Sequence, residues 1–279
     1  MGMESLLGVP QLQHPEIAST QQEFVDTLLS AYASAVGPLA YVSMPVTSGP
    51  RLYDVLESWC VRTVSELKER DPQVFVRDVM QPNISHGERI ARRVQRNTTL
   101  QVIAPAVFNA KKQHFKDPEY MSLWLQLIEG RANEMYMADG WEYSTGCAQE
   151  FVKGMHMQFF SRKSPQTAVR RSFAEDGKNI SMHKQRYIEN CKRSLPITVF
   201  TQAGNTLQLD KGFSILGRAI EDLHERGFDH APLDASLEKL YEIGQYFVVH
   251  SNRGCAPYTY DWKAMAKMHD GFKSLSEKF

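Results

Sequence analysis

Apolar positions along this chain recur in two rhythms. One is helical: Phe24, Leu28, Leu29 and Tyr32 share a face across residues 16–35 until Gly37-Pro38 interrupts, which predicts a leading helix. The other is a short apolar run closed by turn residues, the mark of a buried strand. "LAYVSMP" before Gly49-Pro50 is the first such run, "LQVIAPAVF" the second, "NEMYMADGW" the third and "LPITVFTQAG" the fourth. Helical patterns separate them. They are Leu52 to Glu69, stopped by Asp71-Pro72, then "HGERIARRVQRN", "DPEYMSLWLQLIEGR" and "TGCAQEFVKGMHMQF". Beyond the fourth run, "GFSILGRAIEDLHERG" and "LDASLEKLYEIGQYFVV" read as helices, and the chain ends in a Gly/Pro-broken aromatic stretch suited to covering an interface.

Strands alternating with helices predict a parallel sheet covered on both faces. The expected fold is α/β: a doubly wound (Rossmann- or flavodoxin-like) parallel sheet with helical N-terminal, inserted and C-terminal segments. Residues 1–36 would be the N-terminal helical extension, 37–228 the α/β domain and 229–279 a helical tail. Residues 161–194 break the rhythm, with nine Lys or Arg against three acids, an excess of six positive charges, and read as an insertion or a surface helix pair. Ligands of such sheets gather outside the carboxyl ends of the strands, which draws attention to the loops after the first three runs.

Composition narrows the classes. With 279 residues, 42% of them hydrophobic, the chain can bury a sizeable core, which excludes collagen-like and disordered classes. Its 32 basic and 32 acidic residues cancel, so bulk charge favours neither nucleic acid nor a membrane surface as partner. Cys60, Cys147, Cys191 and Cys255 are dispersed, which argues against a disulfide framework and suits a reducing cytoplasm. The first residues lack a basic start followed by an apolar run, Ser5 falls one place short of a myristoylation signal, and no apolar stretch reaches membrane-spanning length, so neither export nor a membrane is expected. His86, His114, His156 and His183 show no ligand spacing, so neither metal nor other cofactor is expected.

The densest chemistry is "ADGWEYSTGCAQEF", residues 138–151, between the third strand and the next helix. With that helix starting near Thr145, its apolar stripe is Ala148, Phe151, Val152, Met155 and Phe159. Glu150 then projects roughly 160–200° from the stripe, on the first turn, toward the strand-end cleft or solvent, and is not expected in the core. A helix start would also hold its carboxylate below the usual range and keep it ionised. Ser144 and the free N–H groups of Thr145 to Cys147 make a ready anion site, and Gly146 lets a ligand approach the backbone. The plainer reading is that Ser144 is only a helix cap and Glu150 only complements the macrodipole.

Together, "YVSMP", "IAPAVF", "LWLQLI" and "ADGWEYSTGCAQEF" resemble the nucleoside 2-deoxyribosyltransferase-like superfamily, which includes deoxyribosyltransferases and deoxynucleoside 5′-monophosphate N-glycosidases. The resemblance covers roughly residues 38–157, and its last turn is the most specific part. It implies cleavage or transfer at an N-glycosidic bond, with Glu150 attacking the anomeric carbon and Ser144, beside Gly146, contacting the phosphate or 5′-hydroxyl. Tyr41 and Ser43 would line the sugar pocket, and Asp139 would orient the glutamate or contact the base. Where the family often carries an acid near the base, this chain offers Ser122, Trp124 or Gln126. A homo-oligomer is also implied.

Arg51, just past the first-strand loop, is a further phosphate candidate, and Trp141 and Tyr143 are candidates for stacking on a base. Arg89, Arg92, Arg93 and Arg96 form a helical stripe that suits either a phosphate backbone or a solvated face. Two rival functions remain: a nucleotide-sensing or nucleic-acid-binding protein without turnover, and a nicotinamide dinucleotide glycohydrolase.

Overall fold

A computed structural model of the protein describes residues 38–105, 117–160, 197–251 and 262–276. The leading extension and the basic segment 161–194 lie outside the described residues. Each apolar run contributes one strand, shorter than the run itself: β1 (Leu39–Ser43), β2 (Gln101–Ile103), β3 (Ala132–Met137) and β4 (Thr198–Thr201). They form one all-parallel sheet in the order β2-β1-β3-β4. The chain therefore leaves β1 for a neighbour on one side and returns on the other. β1 is central, and all five of its residues are buried, which is why it reads as continuously apolar rather than alternating.

The helices are α1 (Pro50–Ser58), α2 (Val64–Arg70), α3 (Pro72–Val74), α4 (Gln81–Asn97), α5 (Asp117–Arg131), α6 (Thr145–Phe160), α7 (Leu209–Glu225), α8 (Ala231–Ser251) and α9 (Trp262–Ser276). The pleat of β1 splits the core in two. Leu39 and Tyr41 join the larger cluster with α1, α5, α6, α7 and α8, whereas Ala40 and Val42 join a smaller one built on Ile90, Ala91 and Val94 of α4. Helices thus cover both faces of the sheet.

Three local departures from the sequence pattern have physical causes. The expected single helix from Leu52 to Glu69 is broken, because Cys60 takes a left-handed φ of 51° and a fresh cap starts α2. The Thr63 hydroxyl accepts from Glu66 N at 3.2 Å, while the Glu66 carboxylate accepts from Arg62 N at 3.0 Å. The helix read at "HGERIARRVQRN" begins earlier and follows a π-helical segment, Phe75–Met80. Pro82 lacks an N–H for the usual bond four residues back, and the Gln81 N–H just before it reaches Val76 O instead. The aromatic tail contains α9, whose Trp262 and His269 stack on Tyr241 of α8, with ring centroids 4.9 and 3.7 Å apart.

Candidate active site

The turn between β3 and α6 is built by its own residues. Gly140 adopts φ 84°, and a Cβ there would come within 2.6 Å of Pro50, so the position needs glycine. Trp141–Tyr143 then form a short 3-10 turn, and extended Ser144 ends it. The Ser144 hydroxyl accepts from Cys147 N at 3.4 Å and its carbonyl accepts from Ala148 N at 2.8 Å, which makes it the cap of α6. Ala138 N donates to Ser43 O at 2.9 Å, tying the turn to the carboxyl end of β1.

α6 is buried on two sides. Phe151 and Met155 belong to the large apolar cluster, while Gly154 lies so close to the sheet that a Cβ would sit 3.0 Å from Met135 and 3.2 Å from Val199. Glu150, one turn before Gly154, therefore meets the strand ends and not water, and is only 4% exposed. The expectation of a carboxylate outside the core, on the first helical turn, is corrected: it is buried in the second turn, because the sheet closes over the side of α6 that its apolar stripe leaves open. Tyr41 donates to Glu150 Oε1 at 2.6 Å and Ser43 to Oε2 at 2.5 Å, across 109 and 107 residues of chain.

The expected low pKa is corrected as well. Burial pushes Glu150 up to about 7, against the opposing pull of the Ser43 and Tyr41 hydrogen bonds. Burial, then the Glu150 charge, pushes the Tyr41 hydroxyl and the Cys147 thiol well above their ordinary values. With one hydroxyl on each oxygen, Glu150 keeps further lone pairs for a proton or an electrophilic carbon. A carboxyl poised near neutrality is suited to either.

The other candidates fall into two groups. Ser144 is buried beside Cys147, within the cluster. Trp124 packs its ring 6.3 Å from that of Tyr41, whereas Gln126 bonds Ser122 in a pair of partly and fully exposed residues. Asp139 is exposed and clasps Gln202 after β4, accepting from its amide and donating its own N–H back at 3.3 Å. Arg51 is exposed on the first turn of α1. Trp141 is buried against Phe151, centroids 4.7 Å apart, and so is a packing residue and not an open stacking platform. Tyr143 packs near Tyr53 and bonds Asp222, with its hydroxyl pushed up to about 12 by burial and by that carboxylate. A Cβ on Gly146 would meet Met121 at an ordinary 3.5 Å, so close packing does not demand glycine there. The Arg89, Arg92, Arg93 and Arg96 stripe is exposed, with Arg92 paired to Glu88 at 3.3 Å.

Two contributors were not singled out from sequence. Cys147 lies in the cluster three residues before Glu150, a helical spacing that was visible. Asn83, on the first turn of α4, donates to Val46 O at 3.2 Å and Ser48 O at 2.9 Å and so pins the loop after β1. Nothing local announced it. Among the described residues no group of three or more His, Cys, Asp or Glu is arranged to hold a metal, and no helix is long and apolar enough to cross a membrane. No protein-family profile, no curated protein and no solved structure matches the chain.

Proposed function

We propose that this chain cleaves, or transfers across, the N-glycosidic bond of a nucleoside or nucleoside 5′-monophosphate, with Glu150 as nucleophile on a doubly wound sheet of the deoxyribosyltransferase-like kind. The observation that carries the reading is the convergence of Tyr41 and Ser43, at the carboxyl end of the central strand β1, on the two oxygens of Glu150 on α6. In this reading an ionised Glu150 oxygen attacks the anomeric carbon as the bond to the base nitrogen breaks. The base leaves with the bonding electron pair and takes up a proton. Positive charge developing on the sugar is met by the carboxylate in a site with little water, where such stabilisation is strong. Water or a second base then displaces Glu150 from the glycosyl ester.

Tyr41 and Ser43 orient the carboxylate and, by donating to it, favour its ionised form. The remaining unpaired N–H groups at the start of α6 would receive a 5′-phosphate or hydroxyl, with Arg51 nearby in sequence to the β1 loop. A homo-oligomer remains part of the proposal.

The test is a panel of nucleosides and 5′-monophosphates incubated at neutral pH, with free base separated by chromatography. The wild type is expected to release base from at least one member, and Glu150→Gln to be slower by roughly 10³-fold or more. The satisfied state of both Glu150 oxygens also suits a binding protein without turnover. No release from any substrate, with nucleotide affinity equal in the two proteins, would establish that reading instead.

A further inference from the structure

The arginine stripe of α4 has no part in the glycosyl chemistry. Every exposed residue of that helix is polar, and four of them are Arg89, Arg92, Arg93 and Arg96. Of the four, only Arg92 is paired with a carboxylate among the described residues, Glu88 at 3.3 Å, while Arg89 rests against His86 Nδ1 at 3.4 Å. The face therefore carries unneutralised positive charge and no apolar side chain with which to enter a membrane or seal a protein interface.

Helical geometry decides which way the stripe leans. The Gln95 amide donates to Leu100 O and its side-chain oxygen accepts from Val102 N, each at 3.1 Å, so the Gln95 flank of α4 lies along β2. Arg93 is about 160° round the helix from Gln95 and Arg89 about 120°, in the same sense, which puts both on the flank toward β3. There Tyr136 of β3 packs against the smaller apolar cluster, and its ring stacks with that of Phe200 on β4, centroids 5.1 Å apart and planes 25° from parallel. Both rings are half-buried, and Phe200 belongs to neither apolar cluster. The acid on this face of the sheet, Glu134, is occupied by the Thr98 and Tyr136 hydroxyls at 3.1 and 3.2 Å.

We propose that this face binds single-stranded nucleic acid, Arg89, Arg93 and Arg96 taking backbone phosphates while Tyr136 and Phe200 offer a surface on which a base stacks. Guanidinium forks without carboxylate partners suit phosphate, and an aromatic pair at their side suits an unpaired base. A duplex keeps its bases stacked on one another and would use the arginines alone. Because the 32 basic and 32 acidic residues of the chain cancel, the attraction comes from local charge and is readily screened. The inference stands apart from the Glu150 reading: α4 covers the Ala40 and Val42 side of β1, whereas Glu150 meets Tyr41 and Ser43 on the other.

The experiment follows the fluorescence anisotropy of a labelled, mixed-sequence single strand of DNA titrated with the full chain at increasing potassium chloride. Three phosphate contacts predict a slope of log K against log salt of about −2, at roughly −0.7 per contact. Arg89→Gln, Arg93→Gln and Arg96→Gln combined, all at exposed positions that spare the fold, should flatten that slope and weaken binding at low salt by roughly tenfold or more. Phe200→Leu, which keeps an apolar side chain and removes the ring, should weaken binding by roughly fivefold or more and leave the slope unchanged. The matching duplex should bind the wild type more weakly and be indifferent to Phe200→Leu. A wild type that does not bind the strand, or a triple variant that binds it as well, overturns the proposal. So does a duplex bound as tightly as the strand, or binding to phosphatidylserine vesicles in place of the strand, which would assign the face to a membrane. Base release is not read in this assay, so its absence would count against the glycosidase reading alone.

Discussion

Glu150 and Glu57 are glutamates on helices that pack into the same large core, yet their surroundings drive them in opposite directions. Glu57 is exposed on α1 and grips the Arg226 guanidinium at 2.9 and 3.1 Å, which holds its carboxyl below the usual range. Arg226 also bonds Asp54 at 3.0 Å and Asp222 at 3.3 Å, so this hub clamps α1 to the end of α7 with full charges. Glu150 is buried, has only neutral hydroxyls for donors, and is raised to about 7. The first arrangement is one that helps hold helices together. The second spends stability to keep a carboxyl poised, as expected where chemistry and not cohesion is served.

The largest test of that contrast is the pH dependence of stability. Folded Glu150 keeps its proton to about pH 7, whereas the unfolded chain releases it near the ordinary 4.5. The folded state therefore binds more protons between those values. This group's contribution is fully present below the unfolded pKa and is lost as pH rises through 7, about 3 kcal/mol in all. Denaturant unfolding at pH 5 and pH 8 should show that decline in the wild type and lack it in Glu150→Gln. If Glu150 acts as the proposed nucleophile, base release should run the other way, rising through pH 7 as its carboxyl ionises. A variant that declines as the wild type does would place the burden on another group.

A middle-sized effect is expected at the hub. Arg226→Met should lower Tm by about 2–4 °C, with the difference from wild type narrowing in high salt, since the partners are largely solvent-exposed. The Glu150 titration should not move. The smallest effect belongs to the cap. Ser144→Ala should cost about 1 kcal/mol through the lost bond to Cys147 N. If the start of α6 holds a 5′-phosphate, KM for a monophosphate should rise more than that for its nucleoside.

Much was legible in the sequence for reasons local to it. Four apolar runs bounded by Gly, Pro and polar turns gave four strands, and the Asp139-Gly140 turn followed by Ser144 gave the start of α6. "TVSE" at Thr63 to Glu66 carried a helix-start signal that the longer apolar period concealed. The facing of Glu150 relative to its own helix was also readable, since it depends only on the helical repeat.

What lay across that face was not. Whether Glu150 met water or strand ends depended on Gly154 drawing α6 down onto Met135 and Val199, and its protonation depended on the resulting burial, opposed by the hydrogen bonds of Tyr41 and Ser43 from more than a hundred residues earlier. Trp141 and Asp139, adjacent to the same turn, went respectively into the core and to Gln202 for equally distant reasons. The sequence by itself determined the elements, the turn and the identities of the polar side chains, because these follow from backbone preference and periodicity. Strand order, burial and the near-neutral carboxyl were decided only by tertiary structure, because desolvation and hydrogen bonding sum over groups that are neighbours in space alone.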